Sequence, residues 1–299
     1  GLIGPRDREE LIRLSMRVAE RGGEGVILDP RGDPAMRFGP GEESVCGVPL
    51  AEFVSFYVVD LGLPSPVVRG ADGSVDREAS EKALVFSRRR LAAWNALLAH
   101  LELRCEVVNP PHTYDIHSIK PYEMTKYIRR GLPFPPSVAT SDPVELMNAP
   151  RDLAGGWIRK GMAGGHDYTE KYVSPNSLDE ANEVLRTGPV MIQERIEGDN
   201  LRAFVLDGVM IGAAEIITHE GSATDSRRGR IRARRVELPD EASRAAVDAA
   251  ACWGMVFGAV DFMVDARTRR HYVLECNSAP FFVNFEKMTG VPVTSRLAD

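Results

Sequence analysis

Cysteine is scarce in these 299 residues: four in all, at 46, 105, 252 and 276, with no CxxC pair and no histidine at ligand spacing. That excludes a disulfide framework or a structural zinc, and it fits a reducing cytoplasm. No apolar run approaches the roughly 18 residues of a membrane span. Nothing at the start reads as a signal peptide. Gly1-Leu2-Ile3-Gly4-Pro5 reads as the tail of a first strand, with a residue or two before it. Aromatics make up only 7% of the chain, but 43% hydrophobic and 27% charged residues are ordinary globular stock, which excludes wholesale disorder. A net charge of −6 speaks against a general nucleic-acid binder. Lysine is scarce too. Six lysines (82, 120, 126, 160, 171, 287) stand among 37 basic residues. Each is an unusual choice in an arginine-rich chain, so its position is informative.

The length suits about two domains, or one fold in several lobes. Residues 1–110 read as an α/β lobe. A helix over about 7–21 is stopped by Gly22-Gly23, and a strand follows at 25–28. The Pro/Gly-rich stretch 30–49 reads as loop. Phe53 to Leu61 is a nearly continuous apolar run, the pattern of a strand buried on both faces. A long helix from about 76 to 100 precedes a strand at 104–108, and this alternation implies a parallel sheet. Residues 111–189 read as a central lobe. It has a helix at 119–130, strands at 137–140 and 157–160, and the glycine-rich segment Gly161–Asp167. Residues 190–299 open with a strand at 190–196. Strands at 201–206, 209–218, 230–238, 258–265 and 271–276 then read as an antiparallel sheet, with a helix at 240–253.

The chemistry starts near the C-terminus. Asp261 sits inside the strand-like run Ala259–Asp265, and Glu275 and Asn277 close the next one. Two residues apart on a strand, Glu275 and Asn277 point to one face, and Asp261 on the neighbouring strand can join them. Three oxygen donors and few other protein ligands describe a hard-cation site of the kind that holds Mg²⁺ when nucleotide phosphates supply the rest. Cys276, between two of these donors, reads as a small residue facing the core.

With the following Ser278-Ala279-Pro280 and Phe285–Val291, these strands resemble the end of an ATP-grasp ligase, in its RimK-type branch. The branch includes glutamate ligases acting on protein tails and ligases of carrier-protein lysine biosynthesis. The likeness runs over about residues 105–297, while residues 1–104 match only in general α/β character. The resemblance implies an α/β fold of α+β lobes: an N-terminal parallel α/β lobe (1–110), a small central and lid lobe (111–189) and a C-terminal antiparallel ATP-grasp lobe (190–299). It implies that Lys120, about ten residues before Gly131-Leu132-Pro133-Phe134-Pro135, and Lys160, at the end of the strand before the glycine loop, contact ATP. Gly164 and Gly165 would let backbone N–H groups close over phosphates. Gln193-Glu194-Arg195-Ile196 would be the hinge that reads adenine, with Glu194 or Glu197 on the ribose. Arg202 would face the triphosphate or the transferred group, acting with Lys160 in catalysis.

Two features depart from the family pattern. Glu215 stands where an arginine is expected, and the stretch Thr224–Gly229 lacks the usual Arg-x-Asn. His166 in the glycine loop is either a solvated residue or a donor to the γ-phosphate or acyl group. Arg228, Arg230, Arg232 and Arg234 alternate along one strand. They read either as a solvated edge or as a surface for an acidic substrate beside the acyl site. The resemblance implies an ADP-forming, cytoplasmic carboxylate–amine ligase that works through an acylphosphate, with ATP and Mg²⁺, or Mn²⁺ in its place. Its substrates would be small molecules or peptides of acidic character, with no nucleic acid or membrane involved. An ATP-grasp kinase acting on a hydroxyl acceptor, or a nucleotide-sensing subunit without turnover, would share the nucleotide residues.

Overall fold

The computed structural model describes the chain except residues 33, 62–66, 150–152, 154, 163–168 and 219–230. It divides into two compact units. One comprises Gly1–Pro111, Ala279–Val283 and Thr294–Asp299; the other comprises His112–Ser278 and Asn284–Val293.

The first unit is built on a four-stranded sheet of β1 (Leu2–Ile3), β2 (Ile27–Leu28), β6 (Ser55–Val58) and β7 (Glu106–Val108), in the order β2-β1-β6-β7. Every neighbouring pair is parallel. Phe56, Tyr57 and Val58 are all buried, as the continuous apolar run predicts for a strand covered on both faces. Helix α1 (Glu9–Glu20) buries Leu11 and Leu14 and gives way to Gly22 at φ 84°, a conformation glycine adopts without a Cβ penalty. Helix α2 (Arg77–Glu102) is capped by Asp76, whose Oδ1 accepts the Ala79 N–H at 2.9 Å. The stretch 30–49 is not all loop. It holds a three-stranded antiparallel meander of β3 (Met36–Arg37), β4 (Ser44–Val45) and β5 (Val48–Pro49). Strands of two residues are too short to show a period.

The second unit opens with α3 (Lys120–Arg129), which has Pro121 in its first turn where the missing N–H costs nothing. A four-stranded antiparallel sheet follows, from β8 (Ser137–Thr140), β9 (Trp157–Lys160), β10 (Glu170–Tyr172) and β11 (Val190–Glu194), in the order β10-β9-β11-β8. Helices α4 (Pro143–Asn148) and α5 (Leu178–Leu185) accompany it. Leu146, Trp157, Ala181 and Ile192 form its core.

The larger sheet of this unit is antiparallel throughout, in the order β14-β13-β12-β15-β16. Its strands are β12 (Gly198–Leu206), β13 (Val209–Thr218), β14 (Ile231–Val236), β15 (Phe257–Asp265) and β16 (His271–Asn277). The β12–β13 hairpin turns on Asp207 and Gly208, both at positive φ, as a two-residue loop requires. Helix α6 (Asp240–Ala251) packs Ala245, Ala246, Ala249 and Ala250 against Leu201, Ala203, Val205, Val260 and Phe262 on one face of this sheet. Small side chains let the helix approach closely. Cys276 lies in the same core, as its small size predicts. The residues that alternate with these, Arg202 and Asp261 among them, point to the opposite face.

Candidate active site

Pairing register places five residues in one row across the large sheet: Arg235 on β14 opposite Ala214, Ala214 opposite Arg202, Arg202 opposite Asp261, and Asp261 opposite Glu275. Directly paired residues share a sheet face, so all five point away from α6. Asn277, two residues beyond Glu275, joins them opposite Ala259. Arg202 donates from Nε and Nη2 to Asp261 Oδ1 and Oδ2 at 2.6 and 2.8 Å, a bidentate fork. Asn277 Nδ2 also reaches Asp261 Oδ2, at 3.3 Å.

Helix α3 supplies the next groups. Lys120 Nζ lies 3.4 Å from Glu275 Oε2. Burial alone would raise the Glu275 carboxyl, but Lys120, Lys160 and His117 outweigh it and hold its pKa at about 2. Lys160, at the end of β9, donates to Gln193 Oε1 at 3.3 Å, and Gln193 in turn donates to Ser137 Oγ at 3.0 Å. Burial pushes the Lys160 ammonium down while Glu275 works against that shift. Burial likewise opposes the charge on Arg202, and Asp261 more than offsets it, so that guanidinium is raised.

Glu123 and His117 belong to this cluster and were not singled out from sequence. Glu123 is 3% exposed, and its Oε1 accepts the Cys276 N–H at 2.9 Å and the Tyr127 hydroxyl at 2.8 Å. It therefore anchors the backbone between Glu275 and Asn277. Its place three residues after Lys120 puts both on one helix face, and that spacing was the available signal. His117, on the turn Ile116–Ser118, is pushed down by burial, with Glu275, Lys120 and Asp261 around it.

At the hinge, the Glu194 and Arg195 N–H groups donate to the Pro136 and Gly156 carbonyls at 2.8 and 2.9 Å. The Ile196 N–H has no backbone partner among the described residues. A Cβ at Gly155 would fall 1.8 Å from the Arg195 carbonyl oxygen, so only glycine permits this close approach. Glu197 is paired to Arg195 at 2.9 Å, whereas Glu194 is half-buried and its carboxyl is raised by burial and by Asp265.

Of the arginine row, the described members Arg232 and Arg234 do not share the Asp261 face. Arg232 pairs with Ile217 and Arg234 with Glu215, so both point to the α6 side, opposite Asp261. Glu215 takes Arg234 as its partner there. Arg235 is the β14 arginine that shares the Arg202–Asp261 face. Arg228, Arg230, Gly164, Gly165 and His166 lie outside the described residues.

Asp261, Glu275 and Asn277 supply hard oxygen donors on one face, with Asp261 and Asn277 in contact, which suits Mg²⁺ more than a softer metal. Among the described residues, no group of three or more His, Cys, Asp or Glu gathers at metal spacing. The donor set therefore fits an ion whose coordination is completed from elsewhere. Lys120, Lys160 and Arg202 bring three cationic groups to this cluster, and such groups suit a polyanion such as a triphosphate.

Residues 171–299 match the family model of the RimK-like ATP-grasp domain. No curated protein matches the sequence. Solved structures match over the whole chain. The ATP-grasp ligase PsnB complexed with minimal precursor has a TM-score of 0.83 and 26% identity, covering 100% of this chain and 95% of that one. The same ligase with minimal precursor, Mg and ADP gives 0.81 and 25%, covering 100% and 94%. The Chryseobacterium gregarium RiPP-associated ATP-grasp ligase, in complex with ADP and a leader and core peptide, gives 0.75 and 17%, covering 100% and 95%. Residues 171–299 therefore carry a RimK-like ATP-grasp domain, on a chain whose fold is that of the solved ATP-grasp ligases.

Proposed function

We propose that this enzyme uses ATP and Mg²⁺ to join a carboxylate to an amine on a peptide substrate, through an acylphosphate. The observation that carries the reading is the single sheet face holding Arg202, Asp261, Glu275 and Asn277, with Lys120 and Lys160 beside it. PsnB has been solved with a precursor peptide and the Chryseobacterium ligase with a leader and core peptide, and this supports a peptide as the substrate.

In this reading Lys120 and Lys160 bind phosphate oxygens of ATP, and the hinge over Gln193–Ile196 positions the base, with Glu194 or Glu197 on the ribose. Asp261, Glu275 and Asn277 hold Mg²⁺, which neutralises charge on the phosphates. The γ-phosphoryl group passes to the substrate carboxylate, releasing ADP, and Arg202 stabilises the charge on the transferring group. The amine then attacks the acyl carbon and phosphate leaves. Because the acylphosphate is itself activated, no side-chain nucleophile is needed. The small sheet acts as the lid that excludes water from the acylphosphate.

The test is trapping. With ATP, Mg²⁺, hydroxylamine and synthetic peptides bearing Asp or Glu, the enzyme should release ADP and form a peptide hydroxamate. A phosphorylated acceptor without hydroxamate would make it a kinase, and nucleotide binding without ADP release a sensor.

A further inference from the structure

Gln193 is 1% exposed, so its amide depends on protein partners. It lies on β11 directly opposite Ser137 of β8, while Lys160 of β9 stands opposite Met191, two residues before Gln193. Cross-strand pairs and residues two apart on a strand share a sheet face, so Ser137, Gln193 and Lys160 lie on the same one. All three belong to the second unit, as does Pro135.

The two ends of a side-chain amide have the same shape, and the hydrogen bonds around it decide which end faces where. Here each neighbour has one role. Ser137 Oγ donates its single proton to the Pro135 carbonyl at 2.8 Å, and a carbonyl only accepts. The hydroxyl is thereby left as an acceptor, so the Gln193 NH₂ faces it, at 3.0 Å. Gln193 Oε1 then points to Lys160 Nζ, at 3.3 Å, and an ammonium only donates. Without the Ser137 hydroxyl, the buried Gln193 NH₂ would lose this acceptor and the amide would turn towards another. Lys160 would then lose the oxygen that engages one of its three N–H groups. A compact charge on a flexible four-carbon stem, freed of that tether, spreads over several positions.

We propose that Ser137 is a positioning residue for Lys160: acting through Gln193, it holds the ammonium in one place and leaves two N–H groups for the phosphate oxygens of ATP. The inference rests on the reading of Lys160 as a nucleotide contact. Ser137 itself touches neither nucleotide nor metal in this scheme. Its contribution is to cut the conformational cost that Lys160 would otherwise meet when ATP binds.

The test is a double-mutant cycle on the full chain, with ATP affinity read by calorimetry and stability by urea unfolding. Ser137→Ala should weaken ATP binding about three- to tenfold, and Ser137→Thr, which keeps the hydroxyl and suits a strand, should stay within about twofold of wild type. Lys160→Met should weaken binding about tenfold or more, and adding Ser137→Ala to it should change the affinity by less than about twofold, because the group that Ser137 positions is gone. A role in folding alone would lower stability in both backgrounds and leave ATP affinity unmoved. Wild-type ATP affinity in Ser137→Ala, alongside weak binding in Lys160→Met, overturns the proposal. So does a Ser137→Ala loss that persists in full beside Lys160→Met, or one that Ser137→Thr shares. Wild-type affinity in Lys160→Met would instead remove Lys160 from the nucleotide site, and that reading would fall together with the role of Ser137.

Discussion

Arg202 and Asp261 stand opposite each other on adjacent strands and share two hydrogen bonds, of 2.6 and 2.8 Å. The fork fixes both groups on the face where Glu275 and Asn277 also point. In the proposed reaction Asp261 has two tasks: it holds Arg202 in place and contributes a charged oxygen to the metal. Asp261→Asn keeps the shape and removes the charge. ADP formation should fall by about a hundredfold or more, and the Mg²⁺ needed for half-maximal rate should rise. Losing a charged partner for a half-buried guanidinium costs about 1–3 kcal/mol, so the variant should remain folded and melt earlier. Unchanged turnover at limiting Mg²⁺ would reduce this hairpin to a structural element.

Lys160→Met retains the aliphatic stem and removes the ammonium. ATP affinity measured by calorimetry should fall by about tenfold or more, roughly 1.4 kcal/mol. Burial already works against this ammonium, so the vacated site should accept the thioether with little loss of stability. Calorimetry that shows wild-type affinity would take Lys160 out of the nucleotide site.

Much of the cluster was legible because its residues are rare or periodic. Lys120 and Lys160 stood out in a chain with six lysines, and period-two spacing put Glu275 and Asn277 on one face. The alternation of arginines on β14 was equally visible, but alternation does not say which face is which. That depends on Ala214 pairing with Arg235 and Glu215 with Arg234, a register set between strands and not within one. Glu123 escaped notice for a related reason. The N–H it accepts belongs to Cys276, 153 residues away, and the spacing from Lys120 gives the helix face but not that partner.

Glu123 should leave a mark on stability. Burial lifts its carboxyl to about 7, against the pull of the Cys276 N–H, while an ordinary glutamate titrates near 4.5. The folded state thus binds this proton more tightly than the unfolded state. The resulting stabilisation is complete below pH 4.5 and is lost as pH rises through about 7. The loss is on the order of 3 kcal/mol for a shift of this size. Glu123→Gln stays neutral and keeps an oxygen for Cys276 and Tyr127. Its urea-unfolding free energy should therefore fall less steeply than that of wild type across this range. Parallel pH profiles for the two proteins would contradict the burial argument.

The two arginines of β14 separate two ideas about substrate recognition. Arg235 shares the face of Arg202 and Asp261, while Arg232 points to the α6 side. If an acidic peptide is drawn to the acyl site, Arg235 is placed to meet it with a charge-assisted contact. Arg235→Gln should then raise the peptide KM by about three- to tenfold and make it less sensitive to salt, with the KM for ATP unmoved. Arg232→Gln should change neither constant, because its side chain lies on the wrong side of the sheet. The reverse pattern, with Arg232 controlling peptide KM, would mean that the peptide runs along the α6 face. A shift in the ATP constant for Arg235→Gln would instead assign that guanidinium to the phosphates.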